Sequence, residues 1–182
     1  MSSLIAAATV TLEGSNYVAV FVVAAIAIAA LGVAGILVKE VLAAEQGTEN
    51  MQRIAQAIQE GAQAYLNRQF RTLGGFAVLV FFLLFLLPAD TGSERIGRSI
   101  FFLVGAVFSA VTGYVGMSLA VRGNVRVAAA ARNSGAKQAM RIAFRTGGVA
   151  GMFTVGLGLL GASLVVILYK GDAPKVLEGF GF

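Results

Sequence analysis

Four long stretches of this chain carry no charged residue, and they restrict the solvent in which it can fold. Gly14 to Val38 is 25 residues without a charge, Thr72 to Ala89 is 18, Ser99 to Val121 is 23 and Thr146 to Tyr169 is 24. At about 1.5 Å of helical rise per residue, three of them exceed the roughly 30 Å hydrocarbon core of a bilayer. The second falls just short and needs helix before Thr72, with Pro88 placed where it can stop. With 58% hydrophobic and 13% charged residues, the chain has too little polar surface to bury four such helices in a soluble core. The strands of a membrane barrel would alternate at every second residue, whereas these runs are apolar on every side. A signal peptide needs a basic start and a short apolar core, and the first 12 residues contain no Lys or Arg. The sequence therefore reads as an all-α polytopic membrane protein. Its four transmembrane helices span approximately residues 14–38, 70–89, 99–121 and 146–169, joined by segments 39–69 and 122–145.

Orientation follows from where the 14 basic residues fall. Segments 39–69 and 122–145, with Arg71 at the edge of the first, hold Lys39, Arg53, Arg68 and Arg71, then Arg122, Arg126, Arg132, Lys137, Arg141 and Arg145. The other side receives Arg95 and Arg98 in a short turn from Asp90 to Arg98, and Lys170 and Lys175 in the tail. Ten against four places the two longer segments in the cytoplasm and both termini outside. The net charge of +5 is thereby explained by topology, and nucleic acid is not an expected partner.

The cytoplasmic segments are themselves patterned. Ile54, Ala57, Ile58, Gly61, Tyr65 and Leu66 recur at steps of three and four, which predicts a helix with one apolar face. No proline interrupts the chain from Ile54 to Phe85, so this helix is expected to run on into the second span, with Gly74 and Gly75 as its weakest point. Segment 122–145 is Ala-rich with a break at Asn133, Ser134 and Gly135, predicting two helical extensions and a turn. Within the spans, small residues at four-residue steps (Gly105, Ser109 and Gly113; Gly147 and Gly151), the thin positions Gly156, Gly158 and Gly161, and the pairs Ala25 with Ala29 and Ala30 with Ala34 predict close helix contacts.

The chemistry carried by the chain is sparse. With no Cys and no His there is no disulfide, thiolate nucleophile or imidazole ligand. All Asp and Glu residues lie outside the charge-free runs, against a self-sufficient ion-coupled exporter. Met117 and Met152 are read as packing residues, not haem ligands. Glu60 is expected to face Arg68, Arg71 or water at the membrane edge. Arg122, Arg126, Arg141 and Arg145 have the forks that phosphate oxygens accept, but anchoring at the cytoplasmic face explains them more simply. There is no Gly-rich phosphate loop with Lys and Ser/Thr, and no Asp-rich cluster to hold Mg²⁺ around a polyphosphate.

Three stretches resemble the membrane-bound, ion-translocating pyrophosphatases, in matching order and spacing: EGAQAYLNRQF from Glu60 to Phe70, GYVGMSLAVRGNVRVAAAAR from Gly113 to Arg132, and AFRTGGVAGMFTVGLGLLG from Ala143 to Gly161. Gly123, Val127, Gly148 and Ala150 are small departures from the family's pattern. The resemblance implies a larger helical bundle of about 16 spans in an inner and an outer ring, acting as a homodimer, of which this chain is similar to the first four helices. It implies a parent enzyme that hydrolyses cytoplasmic pyrophosphate as its Mg²⁺ complex and moves H⁺ or Na⁺ outward across a bacterial plasma membrane. The family's Asp-rich and gate residues lie in later helices, so no catalytic, cofactor-binding or metal-binding residue is assigned here and the segment alone is expected to be inactive. Gly179 to Phe182 reads as the approach to another span. The alternative is a small, non-enzymatic membrane assembly protein or accessory subunit.

Overall fold

The computed structural model describes residues 14–89, 91–170 and 173–182. The expectation that the N-terminal segment is external concerns residues 1–13, outside the described residues, as do Asp90, Gly171 and Asp172 of the two other connections. Among the described residues five helices follow in order: α1 (Gly14–Ala43), α2 (Glu49–Leu86), α3 (Gly92–Asn133), α4 (Ala136–Tyr169) and α5 (Ala173–Gly181). The first four are long and apolar enough to cross a membrane.

Local chemistry sets the ends. Thr91 Oγ1 accepts from the Glu94 N–H at 3.1 Å and so caps α3, with Glu94 favourably placed in its first turn. Gly135 takes φ +84 between α3 and α4, the backbone that the Asn-Ser-Gly break requires. α2 is one helix from Glu49 through Gly74 and Gly75 to Leu86, so the second apolar run does continue from the preceding amphipathic segment. Helix α3 begins at Gly92, which corrects the reading of Asp90 to Arg98 as a turn: the Thr91 cap starts the helix two turns before the charges end.

The four long helices form a row. α3 packs on α2 along one side and on α4 along another, α1 lies along α4, and α5 packs against the beginning of α3 and the end of α4. Although only Ala44 to Thr48 separate them, α1 and α2 share little contact, because α2 packs on α3. The face α1 buries is Ala27, Ala34 and Val41, all 0–1% exposed, at seven-residue spacing that keeps one seam against its neighbours.

Glycines fit the seams closely, and Gly105, Gly156 and Gly161 are among those the sequence nominated. A Cβ at Gly156 would lie 2.9 Å from Leu31 Cδ2 and 3.3 Å from the Ala27 carbonyl oxygen, and one at Gly123 would lie 2.9 Å from Thr146 Oγ1. Gly161 and Gly105 admit Phe180 of α5, which also meets Phe108 edge-on. Gly147, Gly151 and Gly158, by contrast, face open space, so the proposed four-residue step in α4 makes no contact within this chain. The C-terminal stretch read as an approach to another span is helix α5, with Ala173, Val176 and Gly179 buried and Lys175 paired to Glu94 at 3.1 Å.

The ends of α1 and α2 are held by arginines from α3. Arg98 Nη2 donates to the Leu84, Leu87 and Pro88 carbonyls at 3.2, 3.3 and 3.4 Å. Arg126 donates to the Leu42 carbonyl from Nε at 3.3 Å and from Nη2 at 3.1 Å. Carbonyls at a helix C-terminus lack partners further along the helix and sit at the negative end of its dipole; that of Leu84 also accepts from the Leu87 N–H at 3.3 Å. The two arginines are 8% and 6% exposed, so each is held among the helices at its level of the row. Along α3 they are separated by about 42 Å, near the full thickness of a bilayer with its headgroups.

Replacing Gly156 by Val should lower stability in detergent by about 1–3 kcal/mol through overpacking against α1. Gly147→Val, which enters open space, should change it by less than about 0.5 kcal/mol. Reversible unfolding of both variants by SDS titration checks the difference.

Candidate functional site

The polar residues nominated by sequence gather at the end of the row where α1 and α3 finish and α2 and α4 begin. Arg126 is committed there to backbone: besides Leu42, its Nη1 donates to the Arg122 carbonyl at 2.6 Å. Burial and, secondarily, the nearby Arg122 lower its pKa from the ordinary guanidinium value. Arg145 pairs with Glu40 of α1 at 3.0 Å, a partner that sequence reasoning did not nominate because it lies on another helix. Arg141 and Lys137 line an open surface groove with Ser134, Gln138, Met140 and Phe144.

Glu60 does not pair with Arg68 or Arg71 among the described residues. It accepts from Gln56 Nε2 at 3.2 Å, and one turn further Gln63 Nε2 donates to Asn67 Oδ1 at 3.1 Å. Gln56, Glu60, Gln63, Asn67 and Arg71 fall at steps of four, three, four and four, so they share one stripe of α2. The upper part of that stripe faces a cleft of about 250 Å³ between α2 and α3, lined also by Ser118 and Arg122. Ser118 Oγ is buried there without a protein partner. The polar period was legible in the sequence; the contribution of α3 was not. The predicted apolar face of the same helix is divided, with Leu66 buried while Ile54, Ile58 and Tyr65 are exposed.

No group of three or more His, Cys, Asp or Glu among the described residues is arranged to hold a metal ion. Glu40, Glu60 and Glu94 are engaged by Arg145, Gln56 and Lys175 respectively and do not converge. A multiply charged Mg²⁺ complex needs several oxygen ligands around each ion, so these residues do not fit that role. Met152 packs against the core cluster of α1, α3 and α4, whereas Met117 is exposed.

Comparison with known proteins adds the family. Residues 28–182 match the family described as inorganic H⁺ pyrophosphatase. A K⁺-insensitive pyrophosphate-energized proton pump of Streptomyces avermitilis is 63% identical over 189 residues, covering 97% of this chain and 24% of the relative. The pump of the same description from Streptomyces coelicolor is 61% identical, with 96% and 24% covered. That of Methanosarcina mazei is 47% identical, with 79% and 20% covered. The chain thus spans about a quarter or less of the length of these relatives.

Arg126→Met should cost about 1–3 kcal/mol, since it leaves the Leu42 carbonyl without its donor. Arg145→Met should cost less than about 1 kcal/mol, because the pair it breaks is partly exposed. SDS titration of the two variants side by side measures the contrast.

Proposed function

The chain belongs to the inorganic H⁺ pyrophosphatase family, and from that premise we propose that it forms the N-terminal, outer-helix portion of an enzyme that hydrolyses cytoplasmic pyrophosphate to phosphate and couples this to outward ion movement. The observation that carries the reading is the family match across residues 28–182, together with 63% identity to a named proton pump. The relatives' description as proton pumps insensitive to K⁺ supports H⁺ over Na⁺ and a reaction independent of K⁺. The parent is a bundle of about 16 spans acting as a homodimer in a bacterial plasma membrane, with this segment packed around the catalytic helices.

In this arrangement α1 to α4 cross the membrane near residues 14–38, 70–89, 99–121 and 146–169. Segments 39–69 and 122–145 lie in the cytoplasm and both ends of the chain outside. Mg²⁺ accompanies the substrate and, in this family's chemistry, neutralises phosphoanhydride charge. The contribution of the present residues is packing: α3 ties the ends of α1 and α2, and α4 and α5 close against it through glycines.

Two measurements test the reading. Inside-out vesicles from cells expressing the intact gene should acidify internally on addition of Mg²⁺ and pyrophosphate without K⁺; pyrophosphate hydrolysis with no accompanying gradient would contradict the pump. The 182 residues alone, purified and reconstituted, should release no phosphate from Mg²⁺-pyrophosphate, and robust Mg²⁺-dependent release would contradict the assignment of packing as their role.

A further inference from the structure

The packing of α2 against α3 sets the depth of polar residues that the charge-free runs left outside the membrane. Phe70 meets Tyr114 with ring centroids 6.3 Å apart, and a Cβ at Gly113 would lie 3.7 Å from Phe70 Cζ. At the far end Arg98 holds the Leu84, Leu87 and Pro88 carbonyls. These antiparallel contacts agree in placing residue 70 level with residues 113 and 114. Elsewhere in the row, Gly116 lies opposite Ala150, Gly123 opposite Thr146, Gly156 opposite Leu31 and Arg145 opposite Glu40. The charge-free runs of α1, α3 and α4 therefore occupy one common depth, ending near Val38, Val121 and Thr146.

From Val121 to the level of Phe70 is seven residues of α3, about 10 Å along its axis. Asn67, Arg68 and Arg71 accordingly lie about 7, 8 and 13 Å inside the layer defined by the other three helices. All three are exposed on the surface of this chain. Ionisable side chains at such depth face a protein interior or a water-filled cavity, since hydrocarbon solvates them poorly. The stripe to which Asn67 and Arg71 belong continues upward through Gln63, Glu60 and Gln56 into the cleft beside α3. The same cleft holds the unpartnered Ser118 Oγ, three residues beyond the level of Val121 on the membrane side, a position that water can satisfy.

We propose that this face of α2 lines a hydrated cleft, open to the cytoplasm, that reaches below the membrane surface and favours small hydrophilic anions through Arg71 and Arg122. The proposal rests on the topology given above, with the cytoplasmic start of the second span moved from residue 70 to about residue 62, the level of Val121. It goes beyond packing in assigning one face of an outer helix to water and solute instead of lipid.

The chain contains no cysteine, which makes thiol accessibility a direct test. Single cysteines replace Gln63, Asn67 or, about two and a half turns beyond Asn67 on the opposite face of α2, Phe76, in the intact pump with any other cysteine removed. In inside-out vesicles, Gln63→Cys and Asn67→Cys should react with an impermeant anionic thiosulfonate about fivefold or more faster than with its cationic homologue, after normalising to a free thiol. Phe76→Cys should react with neither. Reaction of Asn67→Cys with a neutral permeant maleimide but neither charged reagent would place the stripe in lipid, and resistance to all three would place it against protein; either overturns the cleft. Equal rates with the two charged reagents would overturn its anion preference. Modification of Phe76→Cys as fast as Asn67→Cys would instead overturn the transmembrane placement itself.

Discussion

A helix that ends near a membrane surface leaves carbonyl oxygens that neither its own backbone nor lipid can satisfy, and the structure meets this constraint with two arginines of α3. Arg98 collects the last carbonyls of α2, and Arg126 collects Leu42 at the end of α1. Because both donors stand on one rigid helix, they fix how far α1 and α2 slide along the row. The glycine seams then set how closely the helices approach, with α4 drawn against α1 at Gly156 and against α3 at Gly123. Polar bonds set the register and small residues set the separation.

That division explains what the sequence could tell. The number of long helices, the continuity of α2 and the break at Asn133 to Gly135 follow from local composition, and the structure has them. Which face each helix buries does not follow, because α1 is apolar around its whole circumference and offers no polar side to exclude. Its seam is chosen by size, at Ala27, Ala34 and Val41. For the same reason Gly147 and Gly151 resembled a contact motif but meet nothing in this chain, while Gly123 and Gly156 carry the contacts.

The candidate site was legible in part for a related reason. The polar steps from Gln56 to Arg71 are visible in one dimension, and so is the absence of carboxylates from the charge-free runs. The partners of Arg126 and Arg145 are distant in sequence, and one of them is a backbone carbonyl that no residue pattern reveals. Depth was hidden most completely. Reading each helix by its own uncharged stretch assumes that all four are centred alike, whereas contacts at Phe70 and Arg98 shift α2 along α3.

Family membership adds meaning to this arrangement without supplying chemistry that these residues lack. The account depends on the position of α2 along α3, so the most direct measurement is short bifunctional thiol cross-linking in the membrane-embedded protein. Cysteines at Phe70 and Tyr114 should cross-link efficiently, and those at Phe70 and Val121 poorly. The reverse preference would mean that α2 lies about two turns further toward the cytoplasm, and would contradict the register from which the account proceeds.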